Sequence, residues 1–178
     1  MRLTLISWWM MPFVGCVEED CKRPELEQDG TPCAESRYVT EACALDGDTI
    51  ALTRDCNDVA TDTERIRILG IDTPDRDGSS GPDAECYAEE AKDYLSSLLK
   101  RPRIRLDFDQ ECVGPYGRTL AHVVIEENCE DLLVSQLIVA KGYGTVYEFD
   151  DSIRHFDPLM AAQERAEADG TGLWSACY

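Results

Sequence analysis

Three aspartates stand where turns or strand ends would let their side chains converge. Asp48 closes an Asp-Gly-Asp turn, and Asp72 and Asp75 lie in the run Ile-Asp-Thr-Pro-Asp. Calcium is a hard cation that prefers carboxylate and carbonyl oxygens, and several like charges stay close together only when a positive charge neutralises them. The three aspartates therefore predict a calcium site.

Two arginines carry the groups that recognise phosphate. Arg67 belongs to the alternating run Arg-Ile-Arg-Ile, and Arg118 follows a Gly-Pro-Tyr-Gly turn. A guanidinium offers a fork of donors that matches phosphate oxygens and stabilises the charge that gathers on phosphorus during attack. Each feature alone has a plainer explanation, since Asp-Gly-Asp is commonly a hairpin turn and Arg67 a solvated strand residue. Together, the carboxylates, a metal ion and two arginines predict phosphodiester hydrolysis.

The elements that must position these residues are five short strands and about three α-helices. Alternating apolar residues and glycine-containing turns predict the strands, and apolar residues at helical spacing predict the helices. The predicted strands cover residues 38–44, 49–54, 65–71, 103–108 and 119–125, and the predicted helices cover 84–99, 130–141 and about 157–168. This order is typical of an α+β fold in which a five-stranded OB-fold β-barrel carries the helices.

Four short motifs follow one another along the chain in a recognisable order. They are Asp-Gly-Asp-Thr-Ile, Arg-Ile-Leu-Gly-Ile-Asp-Thr-Pro, Tyr-Gly-Arg-Thr-Leu-Ala and, near the end, Gly-Leu-Trp-Ser. The set resembles the staphylococcal nuclease (thermonuclease) family over about residues 39–175. The resemblance implies a small nuclease domain with calcium as its cofactor and nucleic acid as its substrate.

The resemblance also implies a role for individual residues. Asp48 and Asp72 would ligate calcium through their carboxylates, and Thr73 would contribute its backbone carbonyl. Arg67 and Arg118 would grip the phosphate. The implied reaction is attack of a calcium-associated water on phosphorus with departure of the 5′ oxygen, so that products from DNA or RNA end in 3′-phosphates.

One position departs from the family pattern. The family has a glutamate after Thr-Pro that positions or deprotonates the attacking water, and this chain has Asp75 there. Aspartate keeps the basic oxygen but is one methylene shorter, and catalytic geometry is sensitive to such shifts. We expect activity from this site, at a rate that the shorter side chain can reduce. Tyr116 corresponds to a family tyrosine that lies near the bound nucleotide.

The net charge has the wrong sign for a broad nucleic-acid-binding surface. The chain has 36 acidic and 17 basic residues, a formal charge of -19. Salt screens distant carboxylates beyond about 8–10 Å, so local arginines and calcium can still hold a phosphate. Without a basic patch, we expect weak binding of long duplexes and a preference for single-stranded substrate.

The start of the chain has the pattern of an export signal. Arg2 precedes an apolar run that ends in Phe-Val-Gly-Cys, which resembles a bacterial lipobox with Cys16 as the lipidated residue. Residues 1–15 are therefore predicted to be a signal peptide, 16–37 an acidic tether and 38–178 the staphylococcal nuclease-like domain. An ordinary secretory signal, or a core strand rich in tryptophan, would give a similar pattern. Either export reading predicts a protein in the bacterial cell envelope, lipid-anchored, or secreted.

Cysteine usage agrees with export. Removing Cys16 from the nine cysteines leaves an even number, and no CxxC pair or nearby histidine suggests zinc. Eight cysteines are therefore predicted to form disulfides, in any of 105 pairings. They are Cys21, Cys33, Cys43, Cys56, Cys86, Cys112, Cys129 and Cys177.

Two alternatives belong to other classes of protein. A noncatalytic module could bind nucleic acid on the same OB-fold without turnover, and Asp75 in place of glutamate leaves that open. A structural lipoprotein could use the carboxylates only to bind calcium. The sequence implies no protein partner, a membrane contact through the lipid anchor only, and a monomer.

Overall fold

The computed structural model describes residues 36–76, 84–101, 103–147 and 154–178. The predicted signal peptide, Cys16 and nearly all of the predicted tether lie outside these ranges. No helix in the described ranges is long and apolar enough to cross a membrane. The strands are β1 (Arg37–Val39), β2 (Cys43–Ala44), β3 (Thr49–Ala51), β4 (Arg65–Ile68), β5 (Ile71–Asp72), β6 (Ile104–Asp107), β7 (Thr119–Glu127), β8 (Glu130–Leu133) and β9 (Thr145–Val146). The helices are α1 (Ala88–Leu98), α2 (Val134–Ala140), α3 (Phe156–Ala168) and α4 (Leu173–Ala176).

Most of these strands form one mixed sheet. Its order is β1-β6-β7-β4-β3-β2, with β8 paired to β7, and β5 and β9 form a separate pair. All pairings are antiparallel except that of β4 with β7. The outermost strands β1 and β2 are consecutive in the chain, so residues 40–42 connect the two edges of the sheet. The predicted α+β class is confirmed.

The predicted strands are interrupted where the backbone changes direction. The strand predicted over 38–44 is two short strands, each paired with a different neighbour. The strand predicted over 65–71 ends at Ile68, and β5 begins at Ile71 after Gly70, whose φ of 84° is readily adopted only by glycine. These two interruptions and the additional strands β8 and β9 give nine short strands in the described ranges, where the sequence pattern predicts five.

The helix predicted over 130–141 begins late, and the prediction is wrong for its first turn. Residues Glu130–Leu133 form strand β8, which pairs with the end of β7. Asn128 and Cys129 both have positive φ, at 51° and 65°, as a tight two-residue hairpin turn requires. This turn folds the chain back onto β7 before the helix can begin, and no periodicity of apolar residues reports it.

Helix α1 is confirmed, but it begins at Ala88 and not at 84. Its buried side chains recur at helical spacing, at Ala88, Ala91, Leu95 and Leu98. Tyr87, the residue before it, has a φ of 75°, which is incompatible with a preceding helical turn. The helix packs on the core, whose largest fully buried side chains include Ile50, Ile66, Ile68, Ile71, Leu106, Ile125 and Ile138.

The predicted use of cysteine is confirmed for the described ranges. Cys43 pairs with Cys56 and Cys86 with Cys177, while Cys112 and Cys129 are also disulfide-bonded. The first pair closes a short loop of sequence separation 13, and the second joins positions 91 residues apart. Cys16, Cys21 and Cys33 lie outside the described residues.

Candidate active site

Strand pairing brings three distant segments of the chain together. In the β3–β4 pair, Thr49 lies opposite Arg67, and the Ile68 N–H donates to the carbonyl oxygen of Asp48 at 2.8 Å. Strand β4 pairs in parallel with β7, which begins directly after Arg118. The Asp-Gly-Asp turn, the arginine strand and the Gly-Pro-Tyr-Gly turn therefore meet at one end of the sheet.

Asp48 is buried and held by three donors. One carboxylate oxygen accepts the Thr49 hydroxyl at 2.9 Å, and the other accepts the Thr73 N–H at 3.1 Å. The second oxygen also lies 3.0 Å from Nη2 of Arg67. A carboxylate with contacts on both oxygens has one orientation, which is what a metal ligand needs.

Arg67 is buried between two aspartates. Its Nη1 donates to the backbone carbonyls of Ile68 and Ile71, at 3.0 and 2.8 Å. Its Nη2 donates to Asp72 at 2.7 Å and also contacts Asp48. With only 5% of its surface exposed, this arginine is not a solvated strand residue, the plainer explanation that its sequence context allowed.

The oxygen donors at this point are compatible with calcium. One oxygen of Asp48 and one of Asp72 lie within 3.0 Å of the same Arg67 nitrogen, and Thr73 contacts Asp48 through its backbone. Calcium binds oxygen at about 2.3–2.6 Å in flexible geometry, so small side-chain shifts would bring both carboxylates into one shell. No set of three or more His, Cys, Asp or Glu side chains in the described ranges is arranged as a metal site. Further ligands would have to be carbonyl or water oxygens.

The carboxylates repel one another, as the pKa of Asp72 shows. Partial burial raises this pKa most, and the Arg67 guanidinium opposes the rise. The charges of Asp48, Asp75 and Glu85 raise it further. The net shift is upward because burial and the three neighbouring acids together outweigh the effect of Arg67.

Asp46 belongs to the same cluster, although the sequence analysis did not select it. Burial raises its pKa to about 6, and repulsion from Asp48 adds to the rise. The Gly47 N–H lowers the pKa, Asp75 raises it and Arg76 lowers it. The available signal was the turn itself, since Asp46 and Asp48 flank one glycine and the tight turn keeps both carboxylates on the same side of the molecule.

Asp75 lies at the border of this cluster. Its side chain is half-buried and is close enough to Asp72 and Asp46 to raise the pKa of both. Its backbone is hydrogen-bonded in both directions to Glu85, with the Asp75 N–H donating to the Glu85 carboxylate at 3.0 Å. Glu85 was also missed from the sequence, because nothing local indicates that it contacts residue 75.

Arg118 approaches the cluster from the opposite side of Asp48. Its Nη1 lies 3.5 Å from the hydroxyl oxygen of Thr49, which itself donates to Asp48. Its guanidinium lies 5.8 Å from the ring centre of Tyr116, whose side chain is 83% exposed. Thr49, a further residue that sequence reasoning missed, therefore connects the arginine to the aspartates.

The two histidines form a separate cluster, which fits a structural role for both. His122 is fully buried in β7, and its Nε2 lies 3.3 Å from the Asp109 carboxylate. His155 packs edge-on against it with ring centres 4.8 Å apart. Burial lowers the pKa of His155 to about 4, with the His122 and Arg154 charges adding to the shift.

Comparisons with known proteins point in one direction. Residues 65–176 match the family model described as staphylococcal nuclease homologue. The thermonuclease of Staphylococcus hyicus is 30% identical over 133 residues, covering 74% of this chain and 72% of that protein. The thermonuclease of Staphylococcus intermedius is 29% identical over 130 residues, covering 73% and 71%. A probable endonuclease LCL3 of Leptosphaeria maculans is 29% identical over 113 residues, 62% of this chain and 37% of that protein.

Proposed function

The chain belongs to the staphylococcal nuclease homologue family, and from this membership we propose that it is a calcium-dependent endonuclease that leaves 3′-phosphate ends. Membership, together with relatives named thermonuclease and endonuclease, makes it a nuclease and therefore a hydrolase of nucleic acid. The proposal adds the cofactor, the bond that is cut and the preferred substrate.

The observation that carries the proposal is the buried arginine between two aspartates. A buried guanidinium with its carboxylates gives little net stability, because removing charges from water costs about as much as their attraction returns. Arg67 has its Nη2 donors turned towards Asp48 and Asp72, and the neighbouring acids raise the pKa of Asp72 by repulsion in addition to the effect of its burial. Such a group can accept a cation and present a guanidinium to a phosphate.

The metal would be held by Asp48, Asp72 and the carbonyl of Thr73. When bound, Ca²⁺ supplies a Lewis acid beside the phosphate and lowers the pKa of an associated water. With the aspartates engaged by the ion, the Nη2 donors of Arg67 are the ones that a phosphate oxygen would accept from. Its Nη1 stays fixed by backbone carbonyls, which keeps the guanidinium plane in place.

The remaining chemistry belongs to three side chains. Asp75 would take the proton of the attacking water as the general base. Arg67 and Arg118 stabilise the charge that builds on the phosphate oxygens as the fifth bond to phosphorus forms. The bond to the 5′ oxygen then breaks, that oxygen takes a proton from solvent water, and the phosphate remains on the 3′ side.

Tyr116 and the surface charge support a preference for single strands. Tyr116 is exposed beside Arg118, so its ring is available to a base or sugar of an unpaired strand. A net charge of -19 disfavours the long phosphate contacts that hold duplexes. Unpaired DNA or RNA is therefore the proposed substrate.

The finer description of the fold is also a proposal. We count β1 and β2 as one strand bent at residues 40–42, because they pair with opposite edges of the sheet. From this bent strand, each strand pairs with the next in the order β3, β4, β7 and β6, and β6 pairs again with the bent strand. This closed order is that of a five-stranded OB-type barrel. The candidate site then lies at one rim of that barrel.

We further propose that the protein is exported. The disulfides of the described ranges favour an oxidising compartment. The predicted signal peptide and lipobox at Cys16 would place it in the bacterial cell envelope, lipid-anchored, or secreted, as a monomer.

The test is cleavage of an end-labelled single-stranded oligonucleotide in calcium and in a chelator. Calcium-dependent cleavage is expected, with products that a 3′-phosphatase shifts in mobility and with slower cutting of the matching duplex. Arg65→Ala is the control for substitution of Arg67, because Arg65 is an exposed arginine on the same strand. Intact calcium binding without cleavage would exclude the enzyme and favour the noncatalytic binding module that the shorter Asp75 leaves open.

A further inference from the structure

Asp75 and Glu85 are joined by two reciprocal hydrogen bonds although they are ten positions apart. The Asp75 N–H donates to Oε2 of Glu85 at 3.0 Å, and the Glu85 N–H donates to the Asp75 carbonyl oxygen at 2.8 Å. On the other side of Asp75, Pro74 has a fixed φ and Thr73 is bonded to Asp48. The position of the Asp75 backbone therefore depends on Glu85.

Glu85 is in turn fixed by the disulfide of its neighbour. Cys86 is bonded to Cys177, which lies just beyond the last helical turn of the chain. That turn is docked on the body of the protein, since Leu173 is buried and its N–H donates to the Gly142 carbonyl at 2.8 Å. The disulfide thus connects the Glu85 turn to an anchored C-terminal segment.

The docking is a close backbone-to-backbone contact that has no room for a side chain at either of two glycines. A Cβ on Gly142 would lie 2.0 Å from the Thr171 carbonyl oxygen, and a Cβ on Gly172 would lie 2.3 Å from the Gly142 carbonyl oxygen. Both glycines also have positive φ, at 65° and 64°. The C-terminal segment is consequently closely packed on the body of the protein, next to Cys177.

The turn that the disulfide holds has an unfavourable backbone conformation. Tyr87 directly follows Cys86 and has a φ of 75°, which is rare for a bulky residue. Its ring stacks on Tyr143 with centres 5.4 Å apart. Such a conformation persists only when its surroundings enforce it, so removal of the disulfide should let the turn relax and move Glu85.

The disulfide also lies beside the candidate metal ligands. Cys86, Cys177, Glu85 and Asp72 line one cavity of about 370 Å³. Movement of this wall would change the surroundings of both Asp72 and Asp75.

We propose that Glu85 and the Cys86–Cys177 disulfide form a clamp that positions Asp75 for catalysis. The clamp is defined as these three residues, and it acts by holding the Asp75 backbone, not by touching the substrate. The inference rests on the proposed function, in which Asp75 takes the proton from water. It explains how a side chain one methylene short of glutamate is kept at a fixed distance from its target.

The first test replaces the side-chain acceptor. Glu85→Ala should lower kcat about tenfold with KM within about twofold, because misplacing a catalytic base slows chemistry without weakening binding. Glu85→Gln should retain most of the activity, because its amide oxygen can still accept the Asp75 N–H. A Glu85→Gln variant as slow as Glu85→Ala would overturn the proposal, since the charge of Glu85 would then be what matters. Glu164→Ala, on the exposed face of α3, is the control.

The second test removes the disulfide. Cys86→Ser with Cys177→Ser should lower kcat by a similar factor, whereas Cys43→Ser with Cys56→Ser should not, once both proteins are shown to be folded by circular dichroism. Adding Glu85→Ala to the Cys86–Cys177 pair should cause no further loss, because residues of one clamp are not additive. If the two reductions in kcat multiply in the combined variant, Glu85 and the disulfide act independently and the shared clamp is contradicted.

An activity-independent readout separates the clamp from the proposed function. Hydrogen exchange of the Asp75 amide, followed by NMR, should be at least about tenfold faster in Glu85→Ala than in the wild type and Glu85→Gln proteins, because the amide loses its acceptor. Unchanged exchange in Glu85→Ala would overturn the clamp even if cleavage is observed. If the wild-type protein does not cleave nucleic acid, the proposed function fails, and exchange alone still decides whether Glu85 holds Asp75.

Discussion

Two buried arginines of this protein lie among carboxylates. Next to one of them the pKa of an aspartate is raised, and next to the other it is lowered. Arg67 contacts Asp48 and Asp72, and the pKa of Asp72 is raised. Arg105, on β6, contacts Asp107, Glu126 and Asp131. Burial raises the pKa of Asp107, but its hydrogen bonds from Arg105 outweigh this, so the net shift is downward.

The two groups differ in how far their own arginine stabilises the neighbouring acids. Around Arg105, in the group that we call the Arg105 cluster, the arginine lowers the pKa of Asp107 and forms ion pairs with Glu126 and Asp131. Around Arg67, the residues Asp46, Asp48 and Asp72 complete what we call the Arg67 cluster. Burial, with repulsion between acids adding to it, raises the pKa of Asp72 and raises that of Asp46 to about 6. Residue types alone do not distinguish the two groups, since both combine arginine with three or more acids. The raised pKa values mark the cluster whose carboxylates a further cation would stabilise.

The largest expected effect is on turnover. Arg67→Ala should lower kcat by about 10³-fold, because it removes a donor that stabilises the charge developing on phosphate. Arg105→Ala should leave kcat per folded molecule within about threefold. Initial rates on a single-stranded oligonucleotide, normalised to folded protein, measure both. Equal losses in the two variants would erase the distinction between the clusters.

The free energy of unfolding of the Arg67→Ala and Arg105→Ala variants should respond differently to calcium. Arg105→Ala leaves buried acids without their cation and should cost about 3 kcal/mol in the free energy of unfolding. Calcium should not restore that loss. Arg67→Ala also exposes acids to mutual repulsion, but calcium can neutralise them, so its loss should shrink as calcium is added. Urea unfolding with and without calcium measures both losses. If calcium restored the stability of Arg105→Ala, the assignment of the calcium site to the surroundings of Arg67 would be contradicted.

Calcium should stabilise the wild-type protein through the Arg67 cluster alone. Ligand at about 100 times its Kd adds about 2.7 kcal/mol by mass action. Asp72→Asn should abolish most of this gain, whereas Asp107→Asn should keep it, although both remove one acid next to an arginine. The shift of Tm with calcium concentration is the measurement. A calcium response that survives Asp72→Asn places the ion elsewhere.

The smallest expected effect is a pH dependence that comes from the histidine cluster. Burial lowers the pKa of His155 to about 4, so the folded protein resists protonation while the unfolded chain takes up a proton near pH 6.5. Stability from this group is complete above pH 6.5 and falls as pH drops from 6.5 to 4. For this half-buried ring we expect a loss of roughly 1 kcal/mol after screening.

The matched variant is His155→Phe, which keeps a ring against His122. Its unfolding free energy should fall less steeply between pH 6.5 and 4 than that of the wild-type protein. Parallel curves for the two proteins would assign the acid sensitivity in this range to groups other than His155. Asp109 is not one of them, because its pKa is lowered to about 2 and its contribution is lost only below about pH 3.8.

The sequence by itself determined the features that are written in consecutive residues. Alternating and helical patterns predicted the α+β class and most elements, and the four motifs predicted the family. They also selected Asp48, Arg67, Asp72 and Thr73, which the structure brings into contact. Local chain geometry is sufficient for these inferences, because a turn or a strand is specified within a few positions.

Only the tertiary structure decided the features that depend on distant partners. Burial of Arg67, the raised pKa of Asp46 and the contact between Glu85 and Asp75 arise from segments that meet after folding. The same holds for the choice of Cys177 as the partner of Cys86. Desolvation, repulsion and disulfide pairing are set by spatial neighbours, and a single sequence does not state which neighbours those are.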